Sequence, residues 1–177
     1  FGFMTFRPGP GLGGHCIPID PFYLTWKARE FGKHTRFIEL AGEINTAMPE
    51  FVISKVADAF NDEGKAIRGS KVLILGLAYK ANVDDCRESP SFVLMEKLQE
   101  KGAEVEFNDP FMPVVPPTRE HAHFTGKQSV DIEDAYDLIL VSTDHAEYKT
   151  FDFTRYSCPL VDSRNCIQHK PQKYYQA

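Results

Sequence analysis

The sequence lacks any long apolar run. No stretch approaches the roughly 20 consecutive apolar residues that a membrane-spanning helix needs, and no basic segment followed by an apolar core marks a secretion signal. Clusters of Lys and Arg are also absent, and the net charge is −5 with a pI near 5.7. A phosphate backbone requires a clustered basic face, so we expect no nucleic-acid partner. The missing apolar run likewise argues against a membrane-embedded protein.

Cysteine is scarce as well. The four thiols, Cys16, Cys86, Cys158 and Cys166, are scattered without a C-x-x-C pair. This spacing argues against a disulfide framework or a zinc knuckle and favours a reducing cytoplasm. The six histidines show no spacing typical of metal ligands, so no metal site is expected.

Glycine and proline are concentrated near the start, in residues 7–18. Such a run excludes a helix and predicts a shaped loop. Asp20 followed by Pro21 then predicts a helix with Asp20 as its N-cap, and Gly32 suits the position after its end. The chain opens without an initiator Met, and we expect it to be part of something longer.

Cys16 lies near the end of this loop, four residues before Asp20. A thiol is nucleophilic as thiolate, and a nearby helix N-terminus favours that form. The glycines before it allow a ligand to approach the backbone N–H groups, and Asp20 lies near enough to act as a base or to order a water. Each feature also has a purely structural interpretation: a small buried thiol, a helix cap and a turn.

Residues 36–63 carry apolar side chains at helical spacing, and Pro49 is expected to kink or divide the helix. From Lys71 onward, apolar β-rich runs alternate with helical patterns, which predicts a parallel sheet. The predicted strands are 72–75, 104–107, 137–141 and 160–162. The predicted helices are 89–101, 130–135 and 144–148, with an irregular loop at 110–128.

A second group of polar residues follows the first predicted strand. Lys80 and Arg87 would lie where an open α/β sheet binds ligands, and both cations favour phosphate. The alternative is a pair of solvated charges in a loop.

The string PGPGLGGHCIPIDPFYL resembles the active-site signature of the UDP-glucose/GDP-mannose dehydrogenase family, in the form of the branch that acts on UDP-N-acetylhexosamines. The resemblance implies that Cys16 is the catalytic nucleophile and Asp20 its polar assistant. It also implies that the loop wraps the substrate sugar through Arg7, Gly9, Gly11, Leu12 and Gly13.

GLAYKANVDDCRESPS is similar to a second block of the same family, and VDSRN is similar to a third, shorter block. The resemblance implies that Tyr79, Lys80 and Arg164 bind the nucleotide sugar and that Arg87 reaches the pyrophosphate of NAD. One departure is Ile19, where UDP-glucose enzymes often carry Lys, so that cofactor contact is not carried over.

The resemblance implies an α/β fold in two parts. Residues 1–68 would form the active-site loop and a central helical dimerisation segment, and residues 69–177 a small Rossmann-like domain that binds the UDP-sugar. The implied enzyme is a homodimeric, NAD-dependent 6-dehydrogenase serving cell-surface polysaccharide synthesis. Nothing here resembles the Rossmann NAD-binding domain with which family members begin, so we expect the isolated chain to be inactive. The alternative is a non-catalytic module for nucleotide-sugar binding and dimerisation.

Overall fold

The computed structural model describes Gly2 and residues 7–177. Within them the chain forms two helices and then an alternation of strands and helices. The α-helices are α1 (Asp20–Glu30), α2 (Arg36–Asp62), α3 (Pro90–Glu100) and α4 (Ala146–Thr150), and a short 3-10 helix covers Ala122–Phe124. The strands are β1 (Lys71–Leu75), β2 (Glu104–Asn108), β3 (Leu138–Val141), β4 (Leu160–Asp162) and β5 (Tyr174–Gln176). The expected α/β class, with helices first, is confirmed. No helix among the described residues is both long and apolar enough to cross a bilayer.

The five strands form one parallel sheet in the order β2-β1-β3-β4-β5. Val72 of β1 lies opposite Val105 of β2 and Leu138 of β3. The central strands β1, from Val72 onward, and β3 are apolar because a parallel sheet is covered on both faces. This arrangement explains why the sequence shows continuous apolar runs here and not alternation.

Two layers cover the sheet. On one face, Val72 and Ile74 pack with residues from the second half of α2 and from α3, including Val56, Phe60 and Met95. On the other face, Leu73, Leu75, Ile139 and Val141 pack with Tyr148, Phe153, Tyr156 and Ile167, which come from α4 and the chain that follows it. One end of α2 therefore belongs to the core of the sheet.

The helices α1 and α2 pack together as a hairpin. The ring of Phe22 lies directly on Gly42, where a β-carbon would overlap it. Thr35 donates a hydrogen bond to Thr25, with 2.7 Å between the hydroxyl oxygens. Gly32 follows α1 with a φ of 67°, as the sequence predicted for the residue after the helix end.

The start of α1 differs from the prediction by one residue. Ile19 is the N-cap and makes no side-chain capping hydrogen bond, and Asp20 is the first residue of the helix. The N–H of Asp20 donates to the carbonyl of Cys16 at 2.8 Å, so a turn before the helix already occupies this group. Asp20 still lies in the first turn, where its carboxylate interacts favourably with the positive end of the helix dipole.

Pro49 does not divide α2, which runs through it as one helix. Proline removes the N–H that would otherwise bond the carbonyl of Asn45. Pro49 itself is buried, and Val52, Ile53 and Val56 follow it into the core. The burial of these side chains outweighs the loss of one backbone hydrogen bond.

The helix predicted over 130–135 is absent. The segment has no regular secondary structure, and its backbone groups bond to neighbouring segments: Val130 donates to the carbonyl of Phe107 at 2.9 Å, and the Ile132 carbonyl accepts from the Tyr156 hydroxyl at 3.0 Å. Strand β5 and the short 3-10 helix were not predicted. The last predicted helix is displaced by two residues, from 144–148 to α4.

Candidate active site

The strand order changes direction between β1 and β3, and this creates a crevice at the carboxyl edge of the sheet. Gly76 follows β1 with a φ of 90°, and a β-carbon on it would lie 2.9 Å from the backbone nitrogen of Thr143, which follows β3. The two turns therefore touch at a point where only glycine fits. Half-buried Tyr79 and exposed Lys80 follow at the same edge.

Arg164 is held at this edge by groups that follow β3 and β4. Its Nε donates to the carbonyl of Ser142 at 2.8 Å, and its backbone N–H donates to Asp162 at 2.9 Å. Asp162 is fully buried and also accepts from the N–H groups of Cys166 and Ile167 at 2.8 and 3.0 Å. Burial lowers the pKa of the Arg164 guanidinium, which nevertheless remains a cation. The turn thus presents a fixed, half-buried positive charge.

The Gly- and Pro-rich loop of residues 7–18, called the glycine loop from here on, lies on this edge. A β-carbon on Gly9 would overlap the guanidinium of Arg164. One on Gly13 would lie 2.6 Å from Cβ of Tyr79 and 2.8 Å from the carbonyl oxygen of Glu88. The glycines therefore serve close packing of the loop against the sheet domain, in addition to any approach by a ligand.

The same loop is hydrogen-bonded to the second family block, GLAYKANVDDCRESPS. Gly14 has a φ of 87°, and its N–H donates to the carbonyl of Arg87 at 3.0 Å. A β-carbon on Gly11 would lie 3.1 Å from Cβ of Pro90, at the start of α3. All three segments that were singled out in the sequence thus meet, although they are separated along the chain by up to about 150 residues.

Cys16 lies at the end of this loop, immediately before α1. Its carbonyl accepts from the N–H groups of Ile19 and Asp20 at 3.0 and 2.8 Å, which forms a tight turn into the helix. Both Cys16 and Asp20 are exposed. Cys16 therefore lies one turn before the N-terminus of α1, as the sequence predicted, and the catalytic roles of both residues stay predictions.

Arg87 stands between the loop and the sheet. It donates from Nε and Nη2 to the carboxylate of Asp85, at 3.0 and 2.6 Å. The hydrogen bond that Arg87 donates to Asp85, together with the charge of that carboxylate, raises the pKa of Arg87. The side chain is 66% exposed, so its outer face is accessible to an anion. The other predicted site residues, Arg7, Leu12 and Lys80, are also exposed.

Backbone strain marks the same segments. Among the described residues, the non-glycine positions with positive φ are Asn82, Glu88 and Asn165, with values of 60°, 51° and 49°. Each follows a predicted site residue by one or two positions: Lys80, Arg87 and Arg164. Left-handed backbone in such residues is sparsely populated and tends to occur where the surrounding structure fixes a functional geometry.

Sequence reasoning missed a buried polar pair beneath the crevice, formed by Asp109 after β2 and His145 before α4. Their side chains are fully buried, and Nε2 of His145 lies 3.1 Å from a carboxylate oxygen of Asp109. The available signal was an aspartate placed directly after an apolar strand. The pairing itself joins residues 36 positions apart and follows only from the strand order.

The glycine loop is not a dinucleotide fingerprint, although Gly9, Gly11 and Gly14 have the G-x-G-x-x-G spacing. That motif requires a strand before it and a helix opening directly after it. Within the described residues no strand precedes the loop, and α1 begins only at Asp20. The described residues also contain no group of three or more His, Cys, Asp or Glu side chains arranged to hold a metal ion.

Comparisons with known proteins agree with this geometry. The UDP-binding domain of the UDP-glucose/GDP-mannose dehydrogenase family matches residues 73–169, and the central domain of the same family matches residues 1–47. The sheet with its carboxyl edge and the glycine loop with α1 thus correspond to two successive domains of one family.

Several relatives carry related names. The UDP-N-acetyl-D-mannosamine dehydrogenase of Methanocaldococcus jannaschii is 37% identical over 146 residues, which is 82% of this chain and 30% of that protein. The UDP-N-acetyl-D-glucosamine 6-dehydrogenase of Pseudomonas aeruginosa is 33% identical over 147 residues, 83% of this chain and 34% of that protein. The chain spans about a third of the length of these curated relatives.

A solved structure shares the fold. The structure of UDP-D-ManNAc dehydrogenase from Pyrococcus horikoshii superposes with a TM-score of 0.81 and 26% identity, covering 99% of this chain and 40% of that one. Because the family's UDP-binding domain accounts for more than half of the residues, and the preceding segment matches its central domain, the chain belongs to the UDP-glucose/GDP-mannose dehydrogenase family.

Proposed function

We propose that the chain is the C-terminal part of an NAD-dependent UDP-N-acetylhexosamine 6-dehydrogenase, which oxidises the C6 alcohol of its substrate to a carboxylic acid. The observation that carries this proposal is the meeting of the glycine loop with the carboxyl edge of the sheet. The loop that ends in Cys16 packs on Tyr79 and Arg164, so a nucleotide bound at this edge would have its sugar near the thiol. The names of the relatives reported above specify UDP-N-acetylhexosamines as their substrates, and this supports the proposed substrate class.

The nucleotide sugar would be bound by the sheet edge and by the loop. Lys80 and Arg164 are cations at the carboxyl ends of strands, where a diphosphate is favoured. Tyr79 offers a half-buried ring beside them. We assign the sugar to the loop segment that contains Arg7, Gly9, Gly11, Leu12 and Gly13.

Cys16 would act in the second half of the reaction. An aldehyde at C6 has no hydride-donating form until a nucleophile adds to its carbonyl carbon. The Cys16 thiolate would form that bond and give a thiohemiacetal, which is oxidised to a thioester. Water would then hydrolyse the thioester and release the thiol and the carboxylic acid. Asp20, four residues further on, is placed in the turn that follows and would position or deprotonate this water.

The chain's own residues would contribute little of the cofactor site. NAD, when bound, supplies the two-electron oxidant for each of the two oxidations. Arg87 fits a contact with its pyrophosphate, since its guanidinium is exposed and Asp85 fixes its orientation from one side. Because the chain's own residues would supply so little of the cofactor site, we expect the isolated chain not to reduce NAD.

We also propose that the enzyme is a cytoplasmic homodimer that serves cell-surface polysaccharide synthesis, with residues 1–68 as the loop and dimerisation segment and 69–177 as the nucleotide-sugar domain. The apolar surface of α1 and α2 supports the dimer. Its exposed large side chains include Trp26, Phe31, Phe37, Leu40 and Ile44, of which Phe37 is 88% exposed. A surface of this kind marks an interaction site. Phe37→Asp should convert the dimer to monomer in sedimentation equilibrium, whereas an unchanged mass would contradict this interface.

The function is tested by following NADH in the full-length protein. UDP-N-acetylglucosamine and its manno and galacto epimers would each be supplied with NAD. We expect one epimer to yield two NADH per sugar and a product with a C6 carboxylate, detected by mass spectrometry. Turnover of UDP-glucose alone would contradict the assigned branch, and no turnover of any of these sugars would contradict the reaction.

A further inference from the structure

The loop after β1 is held from below by the buried carboxylate of Asp109. One oxygen of Asp109 accepts from the N–H groups of Leu77 and Ala78, at 2.7 and 2.9 Å. The other accepts from the N–H of Phe111 at 2.8 Å. The charge of this carboxylate is therefore satisfied by backbone donors, and two of them belong to the segment that leads into Tyr79.

His145 holds the other end of the same loop. Its Nδ1 accepts from the N–H of Asn82 at 2.9 Å, so the proton resides on Nε2, which donates to Asp109 at 3.1 Å. The side-chain amide oxygen of Asn82 in turn accepts from the N–H of Ala146 at 3.0 Å. The loop is thus bonded at residues 77, 78 and 82, on both sides of Tyr79 and Lys80.

The pair is closely packed and has no solvent-exposed side-chain surface. The side chains of Asp109 and His145 are fully buried, and Phe111 and Tyr148 pack on the imidazole with ring centroids 5.1 and 5.4 Å away. Burial by itself would raise the pKa of Asp109, but its hydrogen bonds, first of all that from His145, outweigh this and lower it. A buried network with every partner present strongly restricts the geometry of the groups it bonds.

We infer that Asp109 and His145 are positioning residues that hold the loop 77–82 in the conformation that binds the uridine diphosphate part of the substrate, an inference that rests on the proposed function. Neither side chain reaches the crevice itself. They act by keeping Tyr79 and Lys80 in place before the ligand arrives, which removes the ordering penalty from binding.

The test compares three forms of the full-length protein by calorimetric titration with UDP: wild type, His145→Phe and His145→Gln. Phenylalanine keeps an aromatic ring but removes both hydrogen bonds, whereas glutamine retains one donor and one acceptor. Loss of two hydrogen bonds should weaken UDP binding roughly tenfold in His145→Phe. Glutamine should restore binding to within about threefold of the wild type. Urea denaturation would verify that the variants are folded.

A further measurement does not depend on the variants. Amide hydrogen exchange in the wild-type protein should be slow at Leu77, Ala78 and Asn82 without ligand, because each N–H is bonded to a buried group. Fast exchange at these amides would overturn the inference even if His145→Phe did not fold. Equal UDP binding by a folded His145→Phe variant and the wild type would also overturn it. Failure of the wild type to bind UDP would instead overturn the proposed function.

Discussion

The helical segment, α1 and the first half of α2, exposes large apolar side chains, whereas the sheet domain buries them. In β1 and β3, every residue from Val72 to Leu75 and from Leu138 to Val141 is fully buried. In α1 and the first half of α2, large apolar side chains such as Phe37 and Trp26 are 88% and 61% exposed. The second half of α2 changes character and joins the core of the sheet.

This difference shows which part of the chain completes its own core. The sheet domain covers both faces of its sheet with its own residues and with the end of α2. The outer face of the helical segment has no such cover among the described residues. The glycine loop belongs to the helical segment in sequence but rests on the sheet domain in space, so the candidate site depends on both.

The largest expected effect comes from a matched pair of leucines. Leu140 is fully buried in β3, and Leu40 is 51% exposed on α2. Leu140→Ala should lower the free energy of unfolding by about 2–5 kcal/mol, because it leaves a cavity in the core. In the monomeric Phe37→Asp background, where the proposed dimer interface is absent, Leu40→Ala should change it by no more than about 0.5 kcal/mol. Urea denaturation measures both, and similar losses in the two variants would refute the contrast between the regions.

The contact between the glycine loop and the sheet domain can be tested by adding one methyl group to the loop. In Gly13→Ala the new β-carbon would meet Tyr79 and Glu88 and lift the loop from the sheet edge. Displacement by about 1 Å can reduce activity roughly a hundredfold, and we expect an effect of that order on kcat/KM of the full-length enzyme. Gly2→Ala is the control, since no residue that the structure describes lies within 4 Å of a β-carbon at that position. Full activity of Gly13→Ala would show that the seating of the loop is unimportant.

The smallest effect concerns two carboxylates. The folded-state pKa of Asp109 is lowered, so its stabilising contribution is present above the unfolded pKa, near 4, and is lost as the pH falls through the folded value. Asp109→Asn should therefore cost about 1–3 kcal/mol at neutral pH, and its difference from wild type should shrink below about pH 4. Glu39→Gln, which breaks the exposed ion pair with Arg29 at 2.9 Å, should cost less than about 1 kcal/mol. Denaturation curves at several pH values would show both trends, and a pH-independent Asp109→Asn difference would contradict the first.

The sequence predicted β1, β3 and β4 from short apolar runs and β2 from its alternation of apolar and charged residues. It also singled out the loop, Arg87 and Arg164 by their resemblance to family blocks, and their functional roles stay predictions. It missed β5, a short strand of aromatic and polar residues. That strand is held by tertiary contacts, such as the hydrogen bond from the Tyr174 hydroxyl to Asp162 at 2.9 Å.

Long-range contacts account for the other omissions. Asp109 and His145 are unremarkable in the sequence, and their pairing depends on strands β2 and β3 lying on either side of β1. The glycines were predicted to give a ligand access to the backbone or to form a turn, because their packing on Arg164 and Tyr79 requires knowledge of which distant segments meet. Motifs therefore indicated what the site contains, while the fold determined what supports it.

The central claim is that Cys16 carries the second oxidation. The most direct measurement is the yield of the C6 carboxylic acid by full-length Cys16→Ser, quantified by mass spectrometry beside wild type and a Cys158→Ser control, whose thiol is buried away from the loop. We expect acid formation to fall by at least roughly a thousandfold in Cys16→Ser and to persist in the control. Undiminished acid formation by Cys16→Ser would contradict the account, and unchanged UDP-sugar binding by a wild type that forms no acid would favour a non-catalytic binding module.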